Sequence, residues 1–390
     1  MSTSPSFSKR VGGDPTPSPW SEAVAEAQAR GEIHVDLTLS NPTRARIDYP
    51  EGLLRCLADP RGNVYAPRPL GEHAARRAVA ELYNARGFAV RSEDVILTAS
   101  SSEAYAHLFK LLCDPGDRVL APTPSYPLFE HLARLESVAL EPYRLAYDGA
   151  WHLDSDSLPS SRECVSKRIK LALAVSPNNP TGSCLSNQEI ARLAERAGLV
   201  VSDEVFSSYP LGDELLPSAL ESAEDLPRVV LGGLSKELGL PQLKLGWMLL
   251  GGPEAFREAT RRRLELLCDT FLSVNTPVQL ALPELIREAA PVRDEIQLRV
   301  RRNYRALEAA LTDSAASLLR ASGGWYACVR LPGTRDDEDW AANLLARGVL
   351  VQPGYFYDLP FEAGIVVSLL SEPRDLDQGV RVLLEALREA

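Results

Sequence analysis

The amine of a lysine becomes a nucleophile only where burial or neighbouring positive charge lowers its pKa. This chain has six lysines: Lys9, Lys110, Lys167, Lys170, Lys236 and Lys244. One closes an apolar run, Val229–Val230–Leu231–Gly232–Gly233–Leu234–Ser235–Lys236. The run reads as a buried strand that delivers the Lys236 amine at its carboxyl end. Alone, a lysine after a strand is an ordinary surface residue, so its companions matter. Ser176–Pro177–Asn178–Asn179–Pro180–Thr181–Gly182 ends one neighbouring strand candidate, and Ser202–Asp203–Glu204–Val205–Phe206 ends the next. Thr98–Ala99–Ser100–Ser101–Ser102–Glu103–Ala104 lies between a strand and a helix candidate. Small residues at a helix N-terminus offer backbone N–H groups and hydroxyls to an anion, which suits a phosphate. The same string reads as a serine N-cap with Glu103 closing a capping box, and the two readings are compatible.

These strings need a scaffold that brings strand ends together. From about residue 70 the chain alternates helical periodicity with short apolar runs bounded by Gly, Pro and Asp. The spacing predicts strands over 94–98, 118–122, 170–176, 199–203, 228–232 and 245–251, with amphipathic helices such as 103–112 and 187–197 between them. That rhythm implies an α/β fold, a mostly parallel sheet covered by helices on both faces. Ligands of such folds collect at the carboxyl ends of the strands, so residues of a true site belong there. After about residue 270 the pattern changes to a long helix over 292–311, strands over 325–331, 349–351 and 364–370, and helices near 340–346 and 375–387. This portion reads as a smaller α+β domain. The expected division is 1–45, a segment joining the small domain; 46–270, the large domain; and 271–390, the small domain.

The ordered series NNPTG, SDEVF and SK resembles the class I/II aminotransferases of the aspartate-aminotransferase superfamily, enzymes of pyridoxal phosphate (PLP) fold type I. The resemblance runs from Leu39 to the C-terminus. It implies a seven-stranded, mostly parallel sheet in the large domain and a PLP Schiff base on Lys236. Asp203 would pair with the pyridine nitrogen and keep it protonated, so that the ring serves as an electron sink. Asn179 would hydrogen-bond the ring's phenolic oxygen, and Ser101 and Ser102 would form the phosphate cup. Tyr126 would stack on the ring. Tyr65 would reach the phosphate of a neighbouring subunit, which implies a homodimer with shared sites. Ser40 and Asn41 fall in the substrate-side loop, with Ser40 where glycine is usual.

Four positions depart from the family pattern. Lys244 stands where an arginine usually clamps the phosphate, keeping the charge but losing the bidentate fork. Phe206 replaces a tyrosine that shares the phenolic oxygen with Asn179; losing that donor should raise the pKa of the imine. Gly233 replaces a phosphate-contacting serine. The late strand Gly364–Ile365–Val366–Val367–Ser368–Leu369–Leu370 lacks the arginine that holds a substrate carboxylate. Arg374 or Arg330 could substitute, or the substrate is held differently. Tyr355–Phe356–Tyr357 reads either as a substrate-pocket wall or as a packing cluster.

The charge balance, 42 Lys plus Arg against 53 Asp plus Glu, gives −11 and argues against nucleic-acid or anionic-membrane partners. Arg261–Arg262–Arg263, among Glu258 and Glu265, reads as a solvated helix face. The six cysteines show no CxxC pair and no His at metal-ligand spacing, so no metal is expected; reduced thiols fit a cytoplasmic protein. No signal core or spanning apolar run appears. The expected reaction is transamination between a small-molecule amino donor and a keto acceptor, with Lys236 as the base that moves the α-proton. A PLP-dependent lyase or decarboxylase is the alternative, since fold does not fix chemistry. A sensor or an idle homologue is less favoured: too few residues precede the match for a DNA-binding module, and Lys236, Asp203 and Asn179 all persist.

Overall fold

The computed structural model describes residues 7–12 and 16–389. In chain order the strands are β1 (Val35–Asp36), β2 (Val95–Thr98), β3 (Arg118–Thr123), β4 (Ala139–Tyr147), β5 (Trp151–Leu153), β6 (Ile169–Val175) and β7 (Val200–Asp203). They continue with β8 (Arg228–Gly233), β9 (Gly246–Gly251), β10 (Ser317–Leu318), β11 (Tyr326–Arg330), β12 (Val349–Leu350), β13 (Gln352–Pro353) and β14 (Gly364–Ser368). The main sheet has the order β2-β9-β8-β7-β6-β3-β4-β5, with β9 and β5 antiparallel to their neighbours and the rest parallel.

Its inner strands are buried on both faces, which is why they read as continuous apolar runs. The pleat sends alternate residues to opposite sides. Leu171, Val201, Val229 and Met248 face Leu108, Phe109 and Leu264 from the Ser101–Leu112 and Glu254–Phe271 helices. Ala172, Val200, Val230 and Trp247 face Val79, Tyr83 and Leu193 from the His73–Asn84 and Asn187–Ala197 helices. Burying each large side chain contributes on the order of 1.5–3 kcal/mol, and the two layers together fix the strand ends.

Among the described residues the sheet has eight strands, not the seven the resemblance implied. The short hairpin strand β5 extends it beyond β4, and β4 itself carries no clear apolar period because half of it is only partly covered. Pro142 also weakens a strand reading of that segment. It is tolerated because β5 pairs only with Leu145–Tyr147, so Pro142 lies where the outer edge of β4 is open.

A second sheet, β10-β11-β14-β13, is antiparallel, and β1 pairs in parallel with β12. The Ala290–Leu311 and Pro373–Arg388 helices pack together beside it. Val349, Ile365, Val367, Leu307 and Leu376 form its core, together with Leu37 from the N-terminal segment. The Thr276–Glu288 helix packs instead on the His73–Asn84 helix. Among the described residues all six cysteines are free. No described helix is long and apolar enough to cross a membrane. In the arginine run, Arg262 pairs with Glu258 on a solvated face, whereas Arg261 is part-buried and reaches the buried Asp94.

Candidate active site

Parallel pairing puts Val175 of β6, Asp203 of β7 and Leu231 of β8 side by side. The residues that follow them therefore emerge at one edge of the sheet: Asn179 after β6, Asp203 at the tip of β7, Lys236 in a short helix after β8. A cavity of about 290 Å³ opens there. Ser40, Ser101, Ser102, Tyr126, Asn179, Asp203, Lys236 and Lys244 all line it, so eight of the ten candidates from the sequence converge.

Asp203 is buried. Its carboxylate accepts from Tyr105 Oη at 3.0 Å and from the Val205 amide at 3.2 Å. Burial raises it to about 6 against the pull of these donors and of Lys236. An anion held this deep, with so little cationic company, is poised for a positively charged partner in the cavity. Lys236 is its complement. Burial lowers the amine's pKa and Asp203 opposes that shift, leaving a group more nucleophilic than a surface lysine. Its Nζ lies 5.1 Å from the Trp325 ring centroid and 5.7 Å from that of Phe206. Tyr209 Oη donates to the Lys236 carbonyl at 2.5 Å, pinning the short helix that carries it. The next residue, Glu237, is buried, pairs with Arg86 and accepts from Ser208 Oγ at 2.7 Å.

The two asparagines of the NNPTG string do different work. Asn178 is spent on the fold: its amide donates to Pro124 O and Thr181 Oγ1, and its carbonyl accepts from Ser125 Oγ. Asn179 is 8% exposed, and its Oδ1 has no partner. A buried, unpartnered polar atom on a cavity wall marks a place for a ligand. Gly182 closes the turn at φ +65°, and a Cβ there would sit 2.6 Å from Ala321 Cβ.

At the other end of the cavity, the Ser101–Leu112 helix begins with Ser100 Oγ accepting from the Glu103 amide. Glu103 reaches back one residue further than a capping box, to the Ala99 amide at 2.7 Å. The first helical amides, those of Ser101 and Ser102, have no carbonyl within the helix to bond and are available to an anion. Gly246 and Gly233 keep the floor open: a Cβ on Gly246 would lie 3.0 Å from the Ser100 carbonyl carbon, and one on Gly233 3.1 Å from Gly246 Cα. Lys244 borders this end in a left-handed conformation, φ +49°. The donors suit a phosphate, the buried anion suits a protonated ring nitrogen, and the lysine suits a Schiff base. The residues present fit PLP.

Tyr65 and Asn41 do not reach this cavity. Tyr65 is 82% exposed and borders a separate cleft of about 60 Å³. Asn41 is exposed and folds back on its own loop, accepting from the Thr43 amide and hydroxyl. Neither arginine considered as a carboxylate ligand lines the cavity either. Arg374 pairs with Glu372 and Asp375, and Arg330 lies 5.2 Å over the Phe361 ring. Of the aromatic trio, Tyr355 packs on Phe356 at 4.7 Å and Tyr357 Oη donates to Gln352, so it is a packing cluster. Three contributors escaped the sequence reading. Tyr105 was within reach of it, one turn into the helix after Ser101. Trp325 and Tyr326 come from the second sheet, and no local signal connects them to Lys236.

Fold and site define an α/β enzyme of PLP fold type I. The chain belongs to the aminotransferase class I and II family, whose model matches residues 38–381. It is 26% identical over 368 residues to the glutamate-pyruvate aminotransferase AlaA of Escherichia coli, covering 90% of this chain and 89% of that protein. It is 28% identical over 264 residues to the S-alkyl-thiohydroximate lyase SUR1 of Arabidopsis thaliana, covering 66% and 56%. In structure it superposes on an alanine aminotransferase from Pyrococcus furiosus with a TM-score of 0.85 and 22% identity, over 99% of this chain and all of the other.

Proposed function

We propose that this chain binds PLP through Lys236 and transfers an amino group from a small amine donor to a keto acceptor. The observation that carries the reading is the placing of a part-buried, pKa-lowered Lys236 and a buried Asp203 at adjacent strand ends. When bound, the cofactor supplies the electron sink for the charge left when a proton leaves the donor's α-carbon. The chain's residues do the rest. Lys236 anchors the cofactor and carries the proton to and from the reacting carbon as base and then acid. Asp203, fixed by Tyr105 and the Val205 amide, holds the ring nitrogen protonated. Ser101, Ser102 and Lys244 bind the phosphate, Tyr126 covers the ring, and Asn179 donates to its phenolic oxygen. Ser40 borders the substrate side, with Asn41 shaping the loop behind it.

Tyr65, too exposed to serve its own cavity, is assigned to the phosphate of a second copy, which makes the working unit a homodimer. The same reading divides the chain at residues 45 and 270, except that the Thr276–Glu288 helix stays with the large domain on which it packs, and places the protein in the cytoplasm. A lyase is the second reading, favoured by the Arabidopsis relative and by a cavity whose lining, among the described residues, holds no arginine. Reduction of the PLP-loaded protein with borohydride, then peptide mapping, tests the anchor. A pyridoxyl group on Lys236 is expected, and a label elsewhere or none refutes the assignment. Incubation with one amino donor and no acceptor then separates the reactions: pyridoxamine phosphate accumulates in a transaminase, whereas a lyase restores the starting spectrum.

A further inference from the structure

Phe206 leaves the cavity wall without a hydroxyl where a tyrosine would have placed one. Another phenol stands beside it. Tyr326, at the start of β11, meets Phe206 edge-on, with ring planes at 88° and centroids 6.1 Å apart. It shares the cavity wall with Ser40, Asn179 and Phe206, and burial raises the pKa of its phenol while Ser40 and Asn179 oppose that rise. Asn179 Oδ1 has no partner, and the amide nitrogen beside it carries two hydrogens to donate. The phenol of Tyr326 carries one hydrogen that can turn into the cavity. The cavity's other phenols are engaged or peripheral. Tyr105 is committed to Asp203 at 3.0 Å, and Tyr126 is 42% exposed.

We propose that Tyr326 makes the hydrogen bond Phe206 cannot, donating beside Asn179 to the phenolic oxygen of the bound cofactor. The inference rests on the reading of this cavity as a PLP site. Its consequence is electrostatic. A donor to that oxygen stabilises its anionic form and eases loss of the proton from the nitrogen joined to Lys236. The second sheet thereby sets a property of a cofactor bound on the first, through a residue opposite Ser368 on β14. Tyr326 acts as a positioning and tuning residue, distinct from the base.

The test is a pH titration of the visible band of the PLP-loaded, full-length protein. It compares wild type, Tyr326→Phe, and the double variant Phe206→Tyr with Tyr326→Phe. Removing one hydrogen bond to a charged oxygen should raise the midpoint by about one to two pH units. Restoring a phenol at position 206 should bring it back. Equilibrium dialysis should show PLP binding weakened about tenfold in the single variant and recovered in the double. Tyrosine to phenylalanine keeps the ring packing, and a thermal melt without cofactor checks that each protein folds. An unchanged midpoint in Tyr326→Phe, with a raised KM for the amino donor, would overturn the inference and assign the phenol to the substrate. A rise that the double variant does not reverse would mark a packing effect and overturn it too. A wild-type protein that takes up PLP without a visible band would sink the proposed function and this inference with it.

Discussion

Substituting Asp203 with asparagine exchanges a buried charge for a neutral group of the same shape, and its effect on stability is set by the carboxyl's titration. Its ordinary value is 3.8, and burial raises it to about 6 in the folded protein. A carboxyl whose pKa is higher folded than unfolded binds more protons in the folded state, so stability falls as pH rises between the two values. Below about 4 both states are protonated and nothing is lost. Above about 6 the full cost is present: two pKa units at about 1.4 kcal/mol each, or about 3 kcal/mol. At pH 5 the cost is about 1–2 kcal/mol. Asparagine carries no charge and keeps the acceptor for Tyr105 Oη but gives up the one that meets the Val205 amide, so the cofactor-free Asp203→Asn protein should exceed wild type by these amounts less about 1 kcal/mol for that lost bond. Urea unfolding of both apo proteins at pH 5 and pH 7.5 measures the difference. Nearby Glu204, raised to about 7 chiefly by burial, is pushed further by the Asp203 charge, so losing that charge adds to the gain at pH 7.5. In the presence of PLP the order should reverse, because the ring nitrogen compensates the aspartate and not the asparagine, and transamination should fall by orders of magnitude. An apo variant no more stable than wild type at pH 7.5, or a gain that shrinks with rising pH, would refute the claim that Asp203 is a charge awaiting its partner.

Two further outcomes follow from the same geometry. Glu237→Ala should destabilise the protein by about 3–5 kcal/mol, because it strands the part-buried Arg86 guanidinium and frees Ser208 next to Lys236; chemical denaturation measures the loss. Lys244→Arg should tighten PLP binding about threefold to tenfold by restoring a fork at the phosphate end, and equilibrium dialysis reads the change.

Much of the site was legible in the sequence because its chemistry sits on short strings that also end strands. An apolar run followed by Ser235–Lys236, and another closed by Ser202–Asp203, state both the residue and its place, since parallel strands present their carboxyl ends at one edge. Ser101 and Ser102 were readable for the same reason, a strand handing over directly to a helix N-terminus. The segments that misled were those whose environment is not periodic. β4 and β5 escaped because an edge strand, half-covered and containing Pro142, carries no alternation to detect. Asn41 sits in the right loop but turns away, because an Asn–Pro–Thr turn satisfies its own carbonyl before any ligand does.

The sequence by itself determined which groups do the chemistry and which edge of the sheet they share, because both follow from local patterning and from the handedness of βαβ units. Only the tertiary structure decided what surrounds them. The exclusion of Arg330 and Arg374 from the cavity, the cushion of Trp325 beneath the Lys236 amine, and the placing of Tyr326 on the same cavity wall as Asn179 are all set by the docking of one sheet against the other. Tyr326 and Asn179 are separated by 147 positions in the chain. No propensity or period couples residues that far apart; they meet because the apolar faces of two layers have a common boundary to bury, and the polar groups left along that boundary line the cavity.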